Sequence, residues 1–485
     1  MADNSLSNIQ QYQDIHADTE SWEQLEYFLE DLYNGSLPTF ATFSFQIDAI
    51  DPLAYLEMCW NKQTYQYYWE KPSDEFAIAA GDELFNISAS GPDRFEEISR
   101  KYNSARELTT EFTTISHPHA GMIFLGGFSF FDEVNGQMWD SFSPASFTVP
   151  KWMIIRDGKF NVASLSVEVE NFDSAADLQH YLQQKLQDIT ETVSQNTSAK
   201  VNENGQLSLN NHPLETGSAH AEWISSVKQA KEEINRETFE KIVLARHLTV
   251  NKDTGTTPTK VLNNLRQQYT NCYNFLIHQP SGKTFLGSTP ERLGAFRNQL
   301  LLTDALAGSI QRGSTATEDA FYEKHLAHSK KDRDEHNFVI RDIKERLTPY
   351  AKTFKRNEQP EIKKLSNVQH LYTPIRVQLN DDISMLDVIG KLHPTPAVGG
   401  YPWQDASEYI DKLEQFERGW YAGPVGWFNS KGNGEFAVGI RSGLFTESQA
   451  HFFAGCGIVA DSDPEAEWEE TNLKLKPMLS ALRYD

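Results

Sequence analysis

The sequence predicts an α+β fold built mainly from antiparallel sheet. Short apolar, β-branched and aromatic runs follow one another across short turns, the helical patterns between them are few and long, and the two do not alternate as in a parallel sheet. From the N-terminus, residues 20–110 combine strand patterns at 39–47, 65–69 and 75–80 with helical ones at 22–32 and 91–107. None of these carries a chemical pattern, so this part reads as scaffold. GMIFLGGFSFF, 121–131, is the most apolar stretch of the first half and reads as a buried strand whose Gly-Gly step lets another backbone approach. Strand patterns continue at 151–155 and 161–169, and 174–191 is helical. Residues 194–220 are polar, without period, and mark the candidate boundary.

Beyond the boundary, Trp223, Val227, Ala230 and Ile234 mark an amphipathic helix leading into the strand KIVLARHLTV, 241–250. Strands follow at 274–278, 284–286 and 299–303, one long helical region at 317–347, and further strands at 423–428, 435–442 and 449–454. The chain closes with a helix over 461–482, where Asp463 is a good N-cap and Pro464 suits the first helical position.

At 485 residues the chain can form several ordinary domains or one large one. Lys and Arg number 44 against 68 Asp and Glu, and the net charge of -24 disfavours nucleic acid and anionic membranes as partners. A small anionic substrate then needs local cations or a metal. Cys59, Cys272 and Cys456 are odd in number and far apart, indicating neither a disulfide framework nor a zinc site. The N-terminus has no basic start followed by an apolar region, and no apolar run is long enough to span a bilayer, so a soluble cytoplasmic protein is expected.

Several stretches stand out chemically. On the last helix Glu467, Glu470 and Lys474 share one stripe beside an apolar one formed by Trp468, Leu475, Leu479 and Leu482. Two carboxylates at i, i+3 suit a hard cation, although taken alone the pattern is better explained as a solvated face with a helical ion pair. KIVLAR holds Lys241 among apolar residues; GSTPERL places Glu291 after a turn proline; ALAGSIQRG puts Gly308 where a backbone can meet a ligand. KKDRDEH, 330–336, is a charged helical stretch, and KLHPTPAVGGYP, 391–402, is a loop stiffened by its prolines. Each has an ordinary structural explanation when taken singly.

In this order, the stretches resemble the chorismate-utilising enzymes and, among them, isochorismate synthase. The likeness covers roughly residues 220–480, with GGFSF at 126–130 a further match. It implies one large domain in which two mainly antiparallel sheets pack as a layered sandwich with outer helices. Residues 1–215 would then be a scaffolding half and 216–485 the chorismate-binding catalytic half. The implied reaction is Mg2+-dependent: water attacks C2 of chorismate and the C4 hydroxyl leaves, giving isochorismate for menaquinone or siderophore synthesis. By the same resemblance Lys241 is the base that activates water, Glu291 the acid that protonates the departing hydroxyl, and Glu335, Glu467 and Glu470 the Mg2+ ligands. Arg441, Tyr421, Lys474 and the backbone of Gly455 and Gly457 surround the substrate carboxylates, while Gly308 and His393 line the ring. Chorismate and isochorismate are the implied partners, with no amidotransferase subunit and a monomer or weak homodimer.

These roles make physical demands. A lysine base must be neutral, and from a reference pKa near 10.4, burial or a neighbouring cation must bring it down by roughly 2 to 3. Glu291 must instead hold a proton, which a dry pocket favours. Ammonia-using relatives lack a lysine at the place of Lys241. Their aminodeoxychorismate branch carries one in a PIKGT-like motif where this chain has Ala307. Salicylate synthases keep the lysine and glutamate but differ around HPTPAVGG, so the 396–400 segment favours stopping at isochorismate. A salicylate synthase, a non-catalytic chorismate-binding homologue and an unrelated Mg2+ hydrolase are the alternatives.

Overall fold

A computed structural model describes residues 19–196, 217–252, 255–365 and 368–482. The first half contains α1 (Thr19–Asn34), β1 (Phe40–Gln46), α2 (Pro52–Met58), β2 (Gln66–Lys71), β3 (Phe76–Ala89), α3 (Arg94–Glu107), β4 (Thr109–Thr113), β5 (Ile123–Phe128), β6 (Ala145–Asp157), β7 (Phe160–Glu168) and α4 (Ala175–Asn196). The second opens with α5 (Gly217–Asn235), β8 (Lys241–Asn251), α6 (Pro258–Gln268), β9 (Tyr273–His278), β10 (Thr284–Thr289), β11 (Arg292–Arg297) and β12 (Leu300–Gln311). It continues through α7 (Ala316–His328), α8 (Lys330–Leu347), β13 (Ala351–Arg356), β14 (Glu361–Lys364), β15 (Val368–Leu379), α9 (Met385–Leu392), β16 (Gly400–Tyr401) and α10 (Trp403–Leu413). It ends with β17 (Pro424–Asn429), β18 (Gly434–Val438), β19 (Ser442–Phe445), β20 (Gln449–Ile458) and α11 (Pro464–Leu482). Most of the expected boundary segment, 197–216, lies outside the described residues.

The expected two sheets are present as two wings of one hydrogen-bonded network, because two long strands belong to both. The C-terminal half of β6 pairs with β7 and its N-terminal half with β5, while β3 follows it along both halves across a register shift between Glu83 and Phe85. One wing runs β4-β1-β7-β6-β3-β2-β9-β10-β19-β20-β8-β16. The other runs from β6 through β5-β17-β18-β11-β12-β15, with β13 and β14 on the far edge of β15. Among the described pairings only β1–β4 is parallel. Strands from before and after the boundary pair directly, β2 with β9 and β5 with β17, so the halves interlock in one domain.

The Gly-Gly step in β5 has the close-approach role expected of it: a Cβ on Gly126 would strike the Ser146 carbonyl, and one on Gly127 would crowd the Pro424 carbonyl. The apolar core lies between the wings, where Phe124 stacks on Phe428 with ring centres 5.1 Å apart. Two expectations are corrected. The 317–347 region is two helices, because Ser329 caps α8 by accepting from the Asp332 amide. The 435–442 strand is likewise two, since Arg441 takes a left-handed conformation, φ 51°, between β18 and β19. Among the described residues no helix is long and apolar enough to cross a membrane.

Candidate active site

A cavity of about 1270 Å³ opens where β8, β12, β20, α8 and α11 converge, and its lining residues all fall between Ile234 and Lys474. Glu291, Gly308, Glu335, Tyr421, Arg441, Gly455, Gly457, Glu467, Glu470 and Lys474 all line it. Ten of the twelve residues expected at the site therefore line one cavity. The other two, Lys241 and His393, lie behind it.

Lys241 opens β8 and is 1 % exposed; its Nζ donates to Glu335 Oε1 at 2.7 Å. Gly457 of β20 is the cover over this side chain: a Cβ there would come within 2.6 Å of Lys241 Cε and 3.3 Å of Glu335 Oε1. Any side chain at 457 would displace the ion pair, which accounts for the glycine. The lysine is thus buried as the base role asks, but its charged neighbour is a carboxylate rather than a cation. Only the neutral amine can accept a proton, so base action requires the Glu335 contact to break and the ammonium to give its proton to solvent.

Glu291 sits in the turn between β10 and β11 and is 6 % exposed. Burial pushes its carboxyl up to about 7, against the opposing pull of Thr395, Arg441, Lys241 and Lys474. Thr395 Oγ1 stands 3.4 Å from Glu291 Oε1, longer than a well-formed O–H···O bond. The 394–400 loop, whose Ala397 and Val398 line the cavity, therefore also touches the acid.

The third group comes from α8 and α11. Pro464 and the Asp463 cap begin α11 as expected; Asp463 Oδ1 accepts from the Ala466 amide at 2.9 Å. Its buried stripe, Glu467, Thr471, Leu475 and Met478, takes Glu467 into the wall, with only 4 % exposure. Burial and then the charge of Glu470 raise the Glu467 carboxyl. Burial in the recess also pushes Glu470 up, but Lys474, Arg441 and Lys331 together hold it below the usual carboxylate value. Three carboxylates on one wall, two of them repelling each other, suit a hard cation by donor type. They do not yet enclose one. Among the described residues no three His, Cys, Asp or Glu side chains gather closely enough to hold a metal ion. Lysines explain the spacing: Glu335 pairs with Lys241 and Glu470 with Lys474, each at 2.7 Å, and Lys331 stands 3.9 Å from Glu467.

Positive charge is concentrated beside these acids. The Arg441 guanidinium makes no hydrogen bond or ion pair to another described residue, while the Arg441 carbonyl accepts from the Ser288 amide at 3.0 Å, and burial lowers the guanidinium pKa below the usual arginine value. A left-handed non-glycine backbone is a local cost; here it turns an unpartnered guanidinium into a cavity, which suits a carboxylate ligand. Lys474 donates to the Gly455 carbonyl at 2.9 Å, so this oxygen orients the lysine instead of facing a ligand. Tyr421 packs on Phe453 with ring centres 5.1 Å apart, and burial raises its phenol.

His393 is corrected to a structural position. Its ring packs near Phe95 and Phe130, and Nε2–H donates to the Phe130 carbonyl at 2.9 Å. Burial pulls its pKa to about 3, so the ring is neutral. The histidine that does line the cavity is His370 of β15, which the sequence patterns did not single out. Its Nδ1 lies 2.8 Å from Ser309 Oγ, its buried Nε2 has no partner, and burial followed by Arg441 and Lys474 holds it at about 3. Its strand pattern, alternating with neighbours that include Pro374, gave no chemical signal.

A family profile described as "Chorismate binding enzyme" matches residues 27–483. "Isochorismate synthase MenF" of Bacillus subtilis (strain 168) is 34% identical over 450 residues, 91% of this chain and 93% of that protein. "Salicylate biosynthesis isochorismate synthase" of Pseudomonas aeruginosa is 34% identical over 92% of this chain and 90% of its own length. Among solved structures, the menaquinone-specific isochorismate synthase MenF from Escherichia coli superposes with a TM-score of 0.73 over 95% of this chain and 99% of that chain, at 24% identity.

Proposed function

Because the chain belongs to the chorismate-binding enzyme family, we propose that it is an isochorismate synthase, an isomerase that adds water at C2 of chorismate as the C4 hydroxyl departs. The observation that carries this reading is the unpartnered Arg441 in the same cavity as Glu291, whose carboxyl is held at about 7. A dianionic ring acid needs the first, and a leaving hydroxyl needs the second. Arg441 and Lys474 receive the substrate carboxylates, and Tyr421 bounds their recess. Gly308, on the bulge of β12, and His370 face the ring. Lys241, released from Glu335 and made neutral by giving its own proton to solvent, takes a proton from the attacking water, and Glu291 gives one to the hydroxyl that leaves. Residues 1–215 serve as scaffold and 216–485 as the catalytic half, in a cytoplasmic monomer or weak homodimer that needs no amidotransferase.

Glu335, Glu467 and Glu470 are the residues that would hold Mg2+, which when bound supplies positive charge for the ring carboxylate. EDTA should abolish turnover and Mg2+ restore it, and calorimetry should find Mg2+ binding weakened in Glu470→Gln. Full activity in metal-stripped protein, or unchanged Mg2+ affinity in the variant, contradicts the assignment.

The reading itself is tested by following chorismate with Mg2+ and an added ammonium salt by NMR. Isochorismate should be the main product, with little pyruvate released. Stoichiometric salicylate and pyruvate would make this a salicylate synthase. An aminated main product would remove water, and with it the need for a base at Lys241. Binding without turnover would leave a non-catalytic homologue.

A further inference from the structure

Behind the cavity, outside its lining, lies a side-chain pair that the mechanism does not use. Arg418 follows α10 and is 1 % exposed, as complete a burial as that of Lys241. Its Nε donates to Glu414 Oε2 at 2.8 Å and its Nη2 to Glu414 Oε1 at 2.5 Å. Nη1 donates to the Val398 carbonyl and Nη2 to the Val243 carbonyl, each at 2.8 Å. Glu414 Oε1 also accepts from the Ala245 amide at 2.7 Å, and the guanidinium lies 4.2 Å from the centre of the Phe130 ring.

These contacts join segments distant in sequence. Val243 and Ala245 belong to the strand that begins at Lys241; Val398 belongs to the loop that touches Glu291 through Thr395; Phe130 belongs to the GGFSF stretch. Val243 and Val398 both line the cavity, so one guanidinium holds two adjacent parts of its wall from behind. The β8 edge explains why such a clamp is needed. Its pairing with β16 covers only Lys241 and Ile242, and beyond that the Val243 amide goes to Gly399 while the Val243 carbonyl and Ala245 amide go to Arg418 and Glu414. A planar donor can serve three acceptors on different segments at once; an ammonium on a flexible stem cannot hold the same geometry.

We propose that Arg418, paired with Glu414, is a positioning residue that fixes how the Lys241 strand lies against the 394–400 loop and so sets the pose of the substrate ring. The inference rests on the isochorismate synthase reading. It acts through geometry: neither Arg441 nor Lys474 contacts the clamp, and of the residues around the carboxylates only Tyr421 lies near it, its ring centre 5.9 Å from the guanidinium. Arg418→Lys should therefore lower kcat by at least about tenfold while KM for chorismate changes less, since small misplacements near reacting groups act on the chemical step.

A buried ion pair can also matter only for stability, and the test separates the two. Replacing both charges, Arg418→Met with Glu414→Gln, keeps an acceptor for the Ala245 amide and leaves no lone buried charge, although the Val243 and Val398 carbonyls lose their donor, so the melting temperature should fall less than in Arg418→Met alone. The expected result is kcat still lowered at least about tenfold at a melting temperature above that of Arg418→Met. Recovery of kcat along with melting temperature, or a raised KM at parental kcat, would overturn the positioning role. If the double variant does not fold, Arg418→Lys decides alone, and parental kcat there overturns the inference. The parent's product is identified first: no isochorismate from the parent overturns the functional reading, whereas a productive parent with unaffected variants overturns only this inference.

Discussion

Lys241→Ala should lose about 100-fold or more in turnover, with a smaller change in chorismate affinity. General-base contributions fall in that range, and the residues that receive the carboxylates are on other elements. The structure adds a second consequence. Lys241 is the closest cation to Glu335, at 2.7 Å, so its removal leaves that carboxylate without its partner. The same variant should therefore change Mg2+ affinity measured by calorimetry, in the direction of tighter binding, while turnover collapses. Near-parental turnover would make Lys241 a strand lysine with a structural partner. A loss of turnover that merely follows a loss of Mg2+ binding would reassign it to organising the metal wall.

Glu291→Gln should remove turnover at every pH, because an amide cannot deliver the proton. In the parent, turnover should fall as pH rises past about 7, where the buried carboxyl loses its proton. Stability should move too. The folded-state pKa of about 7 lies above the reference 4.5, so the folded chain binds the extra proton between these values. The stability linked to that proton is complete below 4.5 and is lost as pH rises through 7. The loss is about 3 kcal/mol by linkage. Glu291→Gln has no such dependence, so in urea unfolding it should gain on the parent between acid pH and about pH 8. A constant difference across that range would show that Glu291 is not held protonated by its pocket.

The sequence made much of this site legible because its chemistry lies in short local patterns. Glu467, Glu470 and Lys474 fall on one stripe of α11 by helical spacing alone, and the Asp463-Pro464 start could be read from capping preferences. What stayed hidden depends on tertiary packing. His370 sits in a strand with no pattern of its own, and it reaches the cavity only because β15 pairs with β12. His393 carries the polar side chain that a site residue should have, yet Phe95 and Phe130 enclose it. The same holds for the fold. The sharing of β3 and β6 between wings comes from a register shift that their residues do not announce, and α9, with Gly390 in an apolar run, reads as strand or helix with equal ease. The Ser329 cap with Asp332 three positions on was a readable signal for splitting α7 from α8, masked by the continuous charge around it.

In the proposed reaction, water activated by Lys241 adds at C2 while Glu291 protonates the departing C4 hydroxyl. Running the reaction in H2 18O tests it most directly, with the product examined by mass spectrometry and by the isotope shift at C2 in the 13C spectrum. Isochorismate should carry one solvent-derived oxygen, at C2, with the original C4 oxygen released to water. Isochorismate formed without solvent oxygen would contradict it, since the hydroxyl would then have migrated within the bound molecule and Lys241 would have no water to activate.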